Sequence, residues 1–358
     1  MTRASLDAEV LEWIAQGALG PADEARFDRL ARSLFSWQRE HNAPYRRMCE
    51  ALYRPAEEVS HWSQIPSAPT GAFKEARLAS FPEEDCIQTF ESSGSTSGAR
   101  SQLHLDTLAL YDASLRATFG AFVCPDVEKI RFLVLAPPCA QASSSSLSYM
   151  FDAALRLWGT ADSAYGVDAS GLDVARTLGV LESACEPVAV VGTAFAFVHL
   201  LDSLEEHGTR VRLAEGSRVL ETGGFKGRSR VVQRDALHRQ IASRLGVPLE
   251  RIVNQYGMSE LATQFYEPTL RTQRRTPIKQ VPPWVRCRAV DPETLRDVAP
   301  GEPGLLIHYD LANTGSVLAV QTSDLGRVTH EGLEVIGRLP GAEARGCSIA
   351  ADLLLGRG

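Results

Sequence analysis

The stretch VAVVGTAFAFVHLLDSL, residues 188–204, carries the two patterns that decide the fold class. Its first four residues form a short apolar run of the kind found in buried strands. From Ala194 to Leu204 the apolar residues recur at helical spacing, and His199 within this segment is predicted to be a core residue. A strand that passes directly into a helix is the building unit of parallel sheets with helices on their faces. The stretch therefore predicts an α/β fold.

The same alternation continues on both sides of this stretch. The further strands and helices are predicted at 131–136, 147–158, 218–221, 230–245 and 252–253. From about residue 282 the pattern changes to short β-like segments, which indicates a smaller β-rich subdomain. These segments are predicted at 285–290, 305–309, 317–321 and 333–336.

The N-terminal 53 residues are predicted to be helical. Phe27, Leu30, Leu34 and Trp37 recur at the spacing of one helix face, and acidic residues open that helix at its positive end. We therefore expect a helical segment, then an α/β body, then a β-rich part with the C-terminal tail. The predicted boundaries are 1–60, 61–280 and 281–358.

Composition excludes several classes of function. The net charge of −7 argues against a nucleic-acid or anionic-membrane partner, either of which would require a basic surface. No run approaches the roughly 20 apolar residues of a membrane span, and the N-terminus lacks the apolar core of a signal peptide. The seven cysteines are scattered without a C-x-x-C pair, which is typical of a reduced cytoplasmic protein.

The segment ESSGSTSGARS, residues 91–101, combines hydroxyl side chains with glycines. Such a loop brings backbone N–H groups close to phosphate oxygens, and Arg100 adds a permanent positive charge at its exit. The alternative is a flexible Ser/Gly linker. The phosphate-binding candidates are Ser92, Ser93, Gly94, Ser95, Thr96, Ser97, Gly98 and Arg100.

A second segment, NQYGMSE at 254–260, directly follows a predicted strand. An aromatic ring before glycine suits stacking on a flat base, a serine hydroxyl suits a phosphate, and a glutamate suits Mg²⁺. Alone, Tyr-Gly after a strand is usually a turn. The candidates here are Tyr256, Gly257, Met258, Ser259 and Glu260, with Glu260 as the metal ligand.

A third segment, QTSDLGR at 321–327, is followed by Gly337-Arg338. Asp324 suits a bidentate contact with ribose hydroxyls, and Arg338 suits a contact with ribose or phosphate. The alternative is a β-turn with an aspartate cap and a surface arginine.

In this order the three segments resemble the adenylate-forming superfamily of acyl-CoA synthetases, luciferases and peptide-synthetase adenylation domains. Its T-S-G-T-T-G-x-P-K loop is similar to residues 92–100, although Ser97 stands in place of a glycine and Arg100 in place of the lysine. Its Y-G-x-T-E and T-G-D-x-G-R motifs are similar to residues 256–260 and 322–327. The resemblance implies the large-domain fold of that superfamily, with ATP and Mg²⁺ as cofactors.

Within the superfamily, the chain most resembles the acyl-protein synthetases of bacterial luminescence. ETGGFKGR at 221–228 and NQYGMSELATQFY at 254–266 carry the resemblance, together with Arg345-Gly-Cys347 near the end. It implies that a fatty carboxylate forms an acyl-adenylate with ATP and that Cys347 then takes the acyl group as a thioester. An acyl-reductase would be the partner that receives it.

Larger members of the superfamily carry a mobile C-terminal domain that supplies a lysine. The chain ends about 20 residues after Gly337-Arg338, so that domain is expected to be absent. Lys226, beside Gly223 and Gly224, is the predicted substitute cation, although a solvated surface lysine is an equal alternative. Small residues that follow predicted strands are expected to leave an acyl channel open, unless they form only a serine-rich loop and a turn. They are Ser145, Ser146, Gly192 and Thr193.

The sequence therefore predicts an acid–thiol ligase that adenylates a carboxylic acid and loads it on Cys347. One alternative is a stand-alone acyl- or aryl-CoA ligase. Another is a non-catalytic acyl- or nucleotide-binding homologue. Neither nucleic acid nor integral membrane association is expected.

Overall fold

A computed structural model describes residues 1–52, 59–92, 99–168, 170–223 and 233–339. The chain forms two compact units, each built from separate parts of the sequence. The first unit contains Met1–Thr118, Met258–Gln264 and the residues from Gln280 onward, and the second contains Phe119–Gly257 and Phe265–Lys279. The three-domain division of the sequence stays a prediction.

The helices and strands are numbered in chain order. The helices are α1 (Arg3–Ala15), α2 (Glu24–His41), α3 (Ala43–Leu52), α4 (Ala72–Glu75), α5 (Ala109–Phe122), α6 (Ser146–Trp158), α7 (Val174–Glu182), α8 (Ala194–Glu206), α9 (Arg234–Leu245) and α10 (Thr269–Thr272). The strands are β1 (Ala68–Pro69), β2 (Gln88–Glu91), β3 (Gln102–Leu105), β4 (Arg131–Leu135), β5 (Ala164–Tyr165), β6 (Val167–Asp168), β7 (Gly171–Leu172), β8 (Val188–Thr193), β9 (Arg218–Thr222), β10 (Ile252–Tyr256), β11 (Phe265–Tyr266), β12 (Ile278–Lys279), β13 (Val285–Val290), β14 (Gly304–Asp310), β15 (Ala319–Thr329) and β16 (Gly332–Arg338). Among these residues, no helix is both long and apolar enough to cross a bilayer.

The second unit contains the parallel sheet that the 188–204 stretch predicted. Its strand order is β11-β10-β9-β8-β4-β5, in which only β11 runs antiparallel to its neighbour. Val188, Val190 and Val219 pack in one core with apolar residues of α8 and α9. His199 is the exception, because it lies on the exposed face of α8 with its ring against Phe195, and its prediction as a core residue was wrong.

Parallel pairing places the carboxyl ends of four strands side by side at one edge of this sheet. Leu135 of β4 pairs with Gly192 of β8, and Thr193 of β8 pairs with Thr222 of β9. Thr222 in turn pairs with Gln255 of β10. Ligands of open α/β sheets bind outside such an edge, so this is the part of the second unit where a ligand is expected.

The first unit contains an antiparallel sheet with the order β16-β15-β14-β13, and β1 pairs in parallel with β15. The four predicted β segments are all strands. The third differs in extent: β15 continues through the QTSDLGR segment to Thr329, which therefore is not a turn. A hairpin connects β15 directly to β16, and this pairs Asp324 with Arg338.

The N-terminal helices belong to the first unit. Asp23 caps α2 by accepting a hydrogen bond from the Arg26 N–H, and Phe27, Leu30 and Leu34 are buried as predicted. Trp37 is only partly buried and stacks on the His41 ring. Gln38, one residue on, takes the buried position.

Candidate functional site

The described residues on either side of the predicted phosphate loop form a hydrogen-bonded pair. Ser92 and Ser101 follow and precede the paired strands β2 and β3, and the Ser92 N–H donates to the Ser101 carbonyl at 2.9 Å. The Ser101 N–H donates in return to Ser92 Oγ at 3.1 Å. The two ends of the loop are thus held together. Ser93, Gly94, Ser95, Thr96, Ser97 and Gly98 lie outside the described residues.

Arg100 lies beside this pair with 56% of its side chain exposed. Its Nη1 is 3.3 Å from Glu91 Oε2, and Glu91 Oε1 also accepts a hydrogen bond from Gln102. An exposed ion pair contributes little stability, typically about 0–1 kcal/mol. The guanidinium can therefore exchange Glu91 for an anionic ligand at small cost.

Ser259 and Glu260 contact the base of the loop. The Ser101 hydroxyl donates to Glu260 Oε1 at 2.5 Å, and the Ser259 hydroxyl donates to the Glu91 carbonyl at 3.1 Å. Glu260 is only 5% exposed, and burial raises the pKa of its carboxyl above the ordinary value. Residues 159 positions apart in sequence are therefore joined by one short hydrogen bond.

Asp324 and Arg338 are neighbours in the same unit. Arg338 Nε is 3.4 Å from Asp324 Oδ1, and the Arg338 side chain is 77% exposed. The positive charge of Arg338 lowers the pKa of Glu260, whereas the negative charge of Asp324 raises it, so both charges act on that carboxyl. Glu260, Asp324 and Arg338, from two of the predicted segments and the Gly-Arg pair that follows, therefore lie close enough in the first unit for their charges to interact.

The donor set at this site fits a cation that arrives with a nucleotide. Within the described chain, no group of three or more His, Cys, Asp or Glu side chains is placed to hold a metal ion. Mg²⁺ usually takes one or two protein carboxylates and fills its remaining positions with substrate phosphates and water. Glu260 suits that role, because a bound cation would offset the cost of ionising a buried carboxyl.

The substrate-pocket candidates belong to the second unit and flank its carboxyl edge. Gly192 and Thr193 end β8, and Ser145 directly precedes α6. Both hydroxyls cap helices: Thr193 accepts from the Ala196 N–H and Ser145 accepts from the Ser148 N–H. These contacts give the two residues a structural role, while their assignment to an acyl pocket stays a prediction. Ser146, the remaining pocket candidate, begins α6, and the cofactor-binding candidates Gly223, Tyr256 and Gly257 also belong to the second unit.

We expect Gly192→Ala to destabilise the second unit. A Cβ at this position would lie 2.6 Å from Leu135 Cβ and 2.9 Å from the Leu135 carbonyl oxygen on the neighbouring strand. Overpacking of this kind costs about 1–3 kcal/mol. Chemical denaturation of the variant and of Gly179→Ala, whose added Cβ meets nothing within 4 Å, measures the difference. Equal stability of the two variants would contradict the prediction.

Three further predicted residues cannot be located. Gly224, Lys226 and Cys347 lie outside the described residues, and their roles stay predictions. Of the cysteines that the structure describes, Cys185 is exposed, and all of them are free thiols.

The sequence reasoning missed a buried polar cluster in the second unit. Glu221 Oε2 accepts a hydrogen bond from Asn254 Nδ2 at 2.7 Å and lies 3.1 Å from His238 Nε2. Lys279, only 1% exposed, lies with its Nζ 3.6 Å from Glu267 Oε1, and burial lowers the pKa of the lysine and raises that of the glutamate. The sequence offered only two signals of this cluster. They are Glu221 near the end of β9 and Asn254 in β10, polar residues within predicted strands.

Comparisons with known proteins show which family this sequence matches. The sequence model of a family described as "Acyl-protein synthetase, LuxE" matches residues 23–354. The long-chain-fatty-acid–luciferin-component ligase of Aliivibrio fischeri is 26% identical over 344 residues, which cover 90% of this chain and 87% of that protein. The protein of the same name from Vibrio harveyi is 24% identical over 336 residues, which cover 90% and 86%.

A solved structure shares the fold. The open conformation of 2-hydroxyisobutyryl-CoA ligase, in complex with 2-HIB-AMP and CoA, superposes with a TM-score of 0.64 at 14% identity. The match covers 90% of this chain and 76% of that one. The predicted fold class, that of an adenylate-forming enzyme, is confirmed.

Proposed function

This chain belongs to the acyl-protein synthetase (LuxE) family, and we propose that it activates a carboxylic acid with ATP and then carries the acyl group on its own Cys347. The observation that carries the proposal is the contact between Ser101 and Glu260. It joins the exit of the phosphate loop to the YGMSE segment, two motifs that a nucleotide triphosphate with its Mg²⁺ would need side by side.

In the first step, a carboxylate oxygen attacks the α-phosphorus of ATP, and the bond to pyrophosphate breaks. The products are acyl-AMP and pyrophosphate. Backbone N–H groups of the loop from Ser92 to Gly98 and the Arg100 guanidinium would hold phosphate oxygens, and Glu260 would hold the Mg²⁺ bound to them. Asp324 and Arg338 would hold the ribose. The backbone N–H groups and the Arg100 guanidinium would thus stabilise the negative charge that develops on the phosphates.

In the second step, the Cys347 thiolate attacks the acyl carbonyl carbon and AMP leaves, which gives a thioester on the enzyme. A thiolate is the nucleophilic form of cysteine, and a cation close to the thiol favours it. Arg345, two residues before Cys347 in the sequence, would be that cation. A reductase would then accept the acyl group. We propose that both reactions occur in the cytoplasm.

The acid is proposed to be a fatty acid, because both curated relatives are named as long-chain-fatty-acid ligases. ATP–pyrophosphate exchange over a panel of carboxylic acids of different chain length tests this choice. Exchange with none of them would favour the non-catalytic alternative. Product that forms only when CoA is added would favour a CoA ligase.

Lys226→Gln is expected to lower the rate of ATP–pyrophosphate exchange about 100-fold, the lower end of the loss caused by removing one group that stabilises developing charge. The matched control is Lys129→Gln, because Lys129 is exposed and donates to the Leu157 carbonyl. Both substitutions remove one lysine charge, so a difference between the two variants reports the position of the charge rather than its loss. Equal rates for the two variants would rule out Lys226 as the cation.

A further inference from the structure

Asp310, the last residue of β14, is buried and contacts the segment directly after Glu260. Its Oδ2 accepts from the Ala262 N–H at 3.1 Å and from the Thr263 N–H at 2.8 Å. Its Oδ1 accepts from the Thr263 hydroxyl at 2.9 Å and from the Ala312 N–H at 3.0 Å. Burial raises the pKa of Asp310 to about 6, so the carboxylate is ionised at neutral pH. Four donors on one carboxylate fix the backbone around it.

Asn313, three residues later, holds Glu260 itself. Its Nδ2 donates to the Glu260 carbonyl and to the Val317 carbonyl, both at 2.9 Å. The backbone of Asn313 is held in turn by the N-terminal helix α2, because Gln38 Nε2 donates to the Asn313 carbonyl at 2.9 Å. Gln38 Oε1 also accepts from the Leu318 N–H at 2.9 Å. A continuous chain of buried hydrogen bonds therefore runs from α2 to Glu260.

The hydrogen bonds of Asp310 and Asn313 reach beyond their own turn. Buried polar groups need partners, yet a turn between β14 and β15 could satisfy its own backbone locally. Here both side chains form one hydrogen bond within the turn itself and also bond a distant segment, at Glu260, Ala262 and Thr263. Interactions of this kind orient ligating side chains, and their loss typically costs 10- to 100-fold in metal affinity.

We propose that Asp310 and Asn313, together called the 310–313 clamp, are positioning residues that hold Glu260 in the orientation that binds the Mg²⁺ of Mg·ATP. The proposal rests on the role given to Glu260 above. It assigns to the turn after β14 a part in nucleotide binding that no motif of the sequence indicates.

The test is calorimetric titration of the full-length protein with Mg·ATP and, separately, with ATP in EDTA. Asp310→Asn keeps the side-chain shape but turns an NH₂ group toward one set of its donors. We expect the Kd for Mg·ATP to rise about tenfold and the Kd for metal-free ATP to stay unchanged. Asn313→Ser introduces a side chain that is too short to reach both carbonyls and should also raise the Kd for Mg·ATP. This variant replaces Asp310→Asn in the test if Asp310→Asn does not fold.

A double-mutant cycle separates positioning from general destabilisation. In a Glu260→Gln background, Asp310→Asn should cause no further loss of Mg·ATP affinity, because both changes remove the same interaction. Val290→Ala, which removes buried volume from β13 of the same unit without touching the clamp, should leave the Kd unchanged. Additive losses in the cycle, or equal losses with and without Mg²⁺, would overturn the proposal. A wild-type protein that binds no Mg·ATP would instead refute the proposed function.

Discussion

Cys347→Ser is expected to abolish self-acylation while it leaves the adenylation step intact. Incubation of the wild-type protein with radiolabelled fatty acid and ATP should leave label on the protein that neutral hydroxylamine releases, as expected for a thioester. In the variant this label should fall to background, because a serine hydroxyl without an activating base is a far weaker nucleophile than a thiolate. ATP–pyrophosphate exchange should persist at close to the wild-type rate, since it reports only the first step.

The matched control for this experiment is Cys185→Ser. Cys185 is exposed and free, so it tests whether any accessible thiol becomes acylated by diffusing acyl-adenylate. We expect full labelling of this variant. Full labelling of Cys347→Ser would show that the acyl group is carried elsewhere or passes directly to another acceptor.

Glu260→Gln is expected to produce the largest loss in the first step. The amide keeps the volume and still accepts a hydrogen bond from the Ser101 hydroxyl, but it removes the only charge that the YGMSE segment offers to Mg²⁺. We expect kcat/KM for Mg·ATP in pyrophosphate exchange to fall about 100- to 1000-fold. Glu267→Gln is the matched control, because Glu267 is equally buried and its pKa is also raised by burial. Similar losses in both variants would show that removing any buried carboxylate disables the protein.

The pH profile adds a second readout for the same residue. Burial raises the pKa of Glu260, so the carboxyl takes up a proton at a higher pH than an ordinary glutamate, whose pKa is about 4.3. The protonated form does not bind Mg²⁺, and kcat/KM should therefore fall as the pH decreases through this raised value. Because kcat/KM reports the ionisation of the free enzyme, the effect of bound metal on this pKa does not obscure it. The acid limb should be absent from Glu260→Gln.

Local patterns were enough to predict most helices and strands. The apolar runs at 131–136 and 188–191 became buried parallel strands, because covering both faces of such a sheet requires continuous apolar sequence. The sequence did not predict correctly at every position which residues of a helix face the core. Periodicity could not show that Gln38 rather than Trp37 faces inward, since a buried amide is tolerated only where its partners are present, and those partners lie about 275 residues away.

The sequence identified the residues of the candidate site, but it did not predict how they are arranged in space. The three segments were identified by residue type and order, and the structure brings Glu260, Asp324 and Arg338 together in one unit. Asp324 was read as a residue of a turn or a ribose contact, yet its position beside Arg338 follows from the register of β15 and β16. The 310–313 clamp left no signal, because Asp-Leu-Ala-Asn reads as an ordinary turn sequence.

The sequence by itself determined the alternation of strands and helices and the acidic charge, and it identified the loop, the YGMSE segment and Cys347 as candidates. The alternation depends on residue type and on spacing within about 20 positions, which is the range of local periodicity and turn chemistry, whereas Cys347 was identified through the family resemblance. Only the tertiary structure decided that Ser101 meets Glu260, that Asn313 holds the Glu260 backbone, and that α2 supports Asn313. These contacts join residues 53 to 275 positions apart, and they form because each buried donor must find an acceptor once the surrounding apolar surface has excluded water.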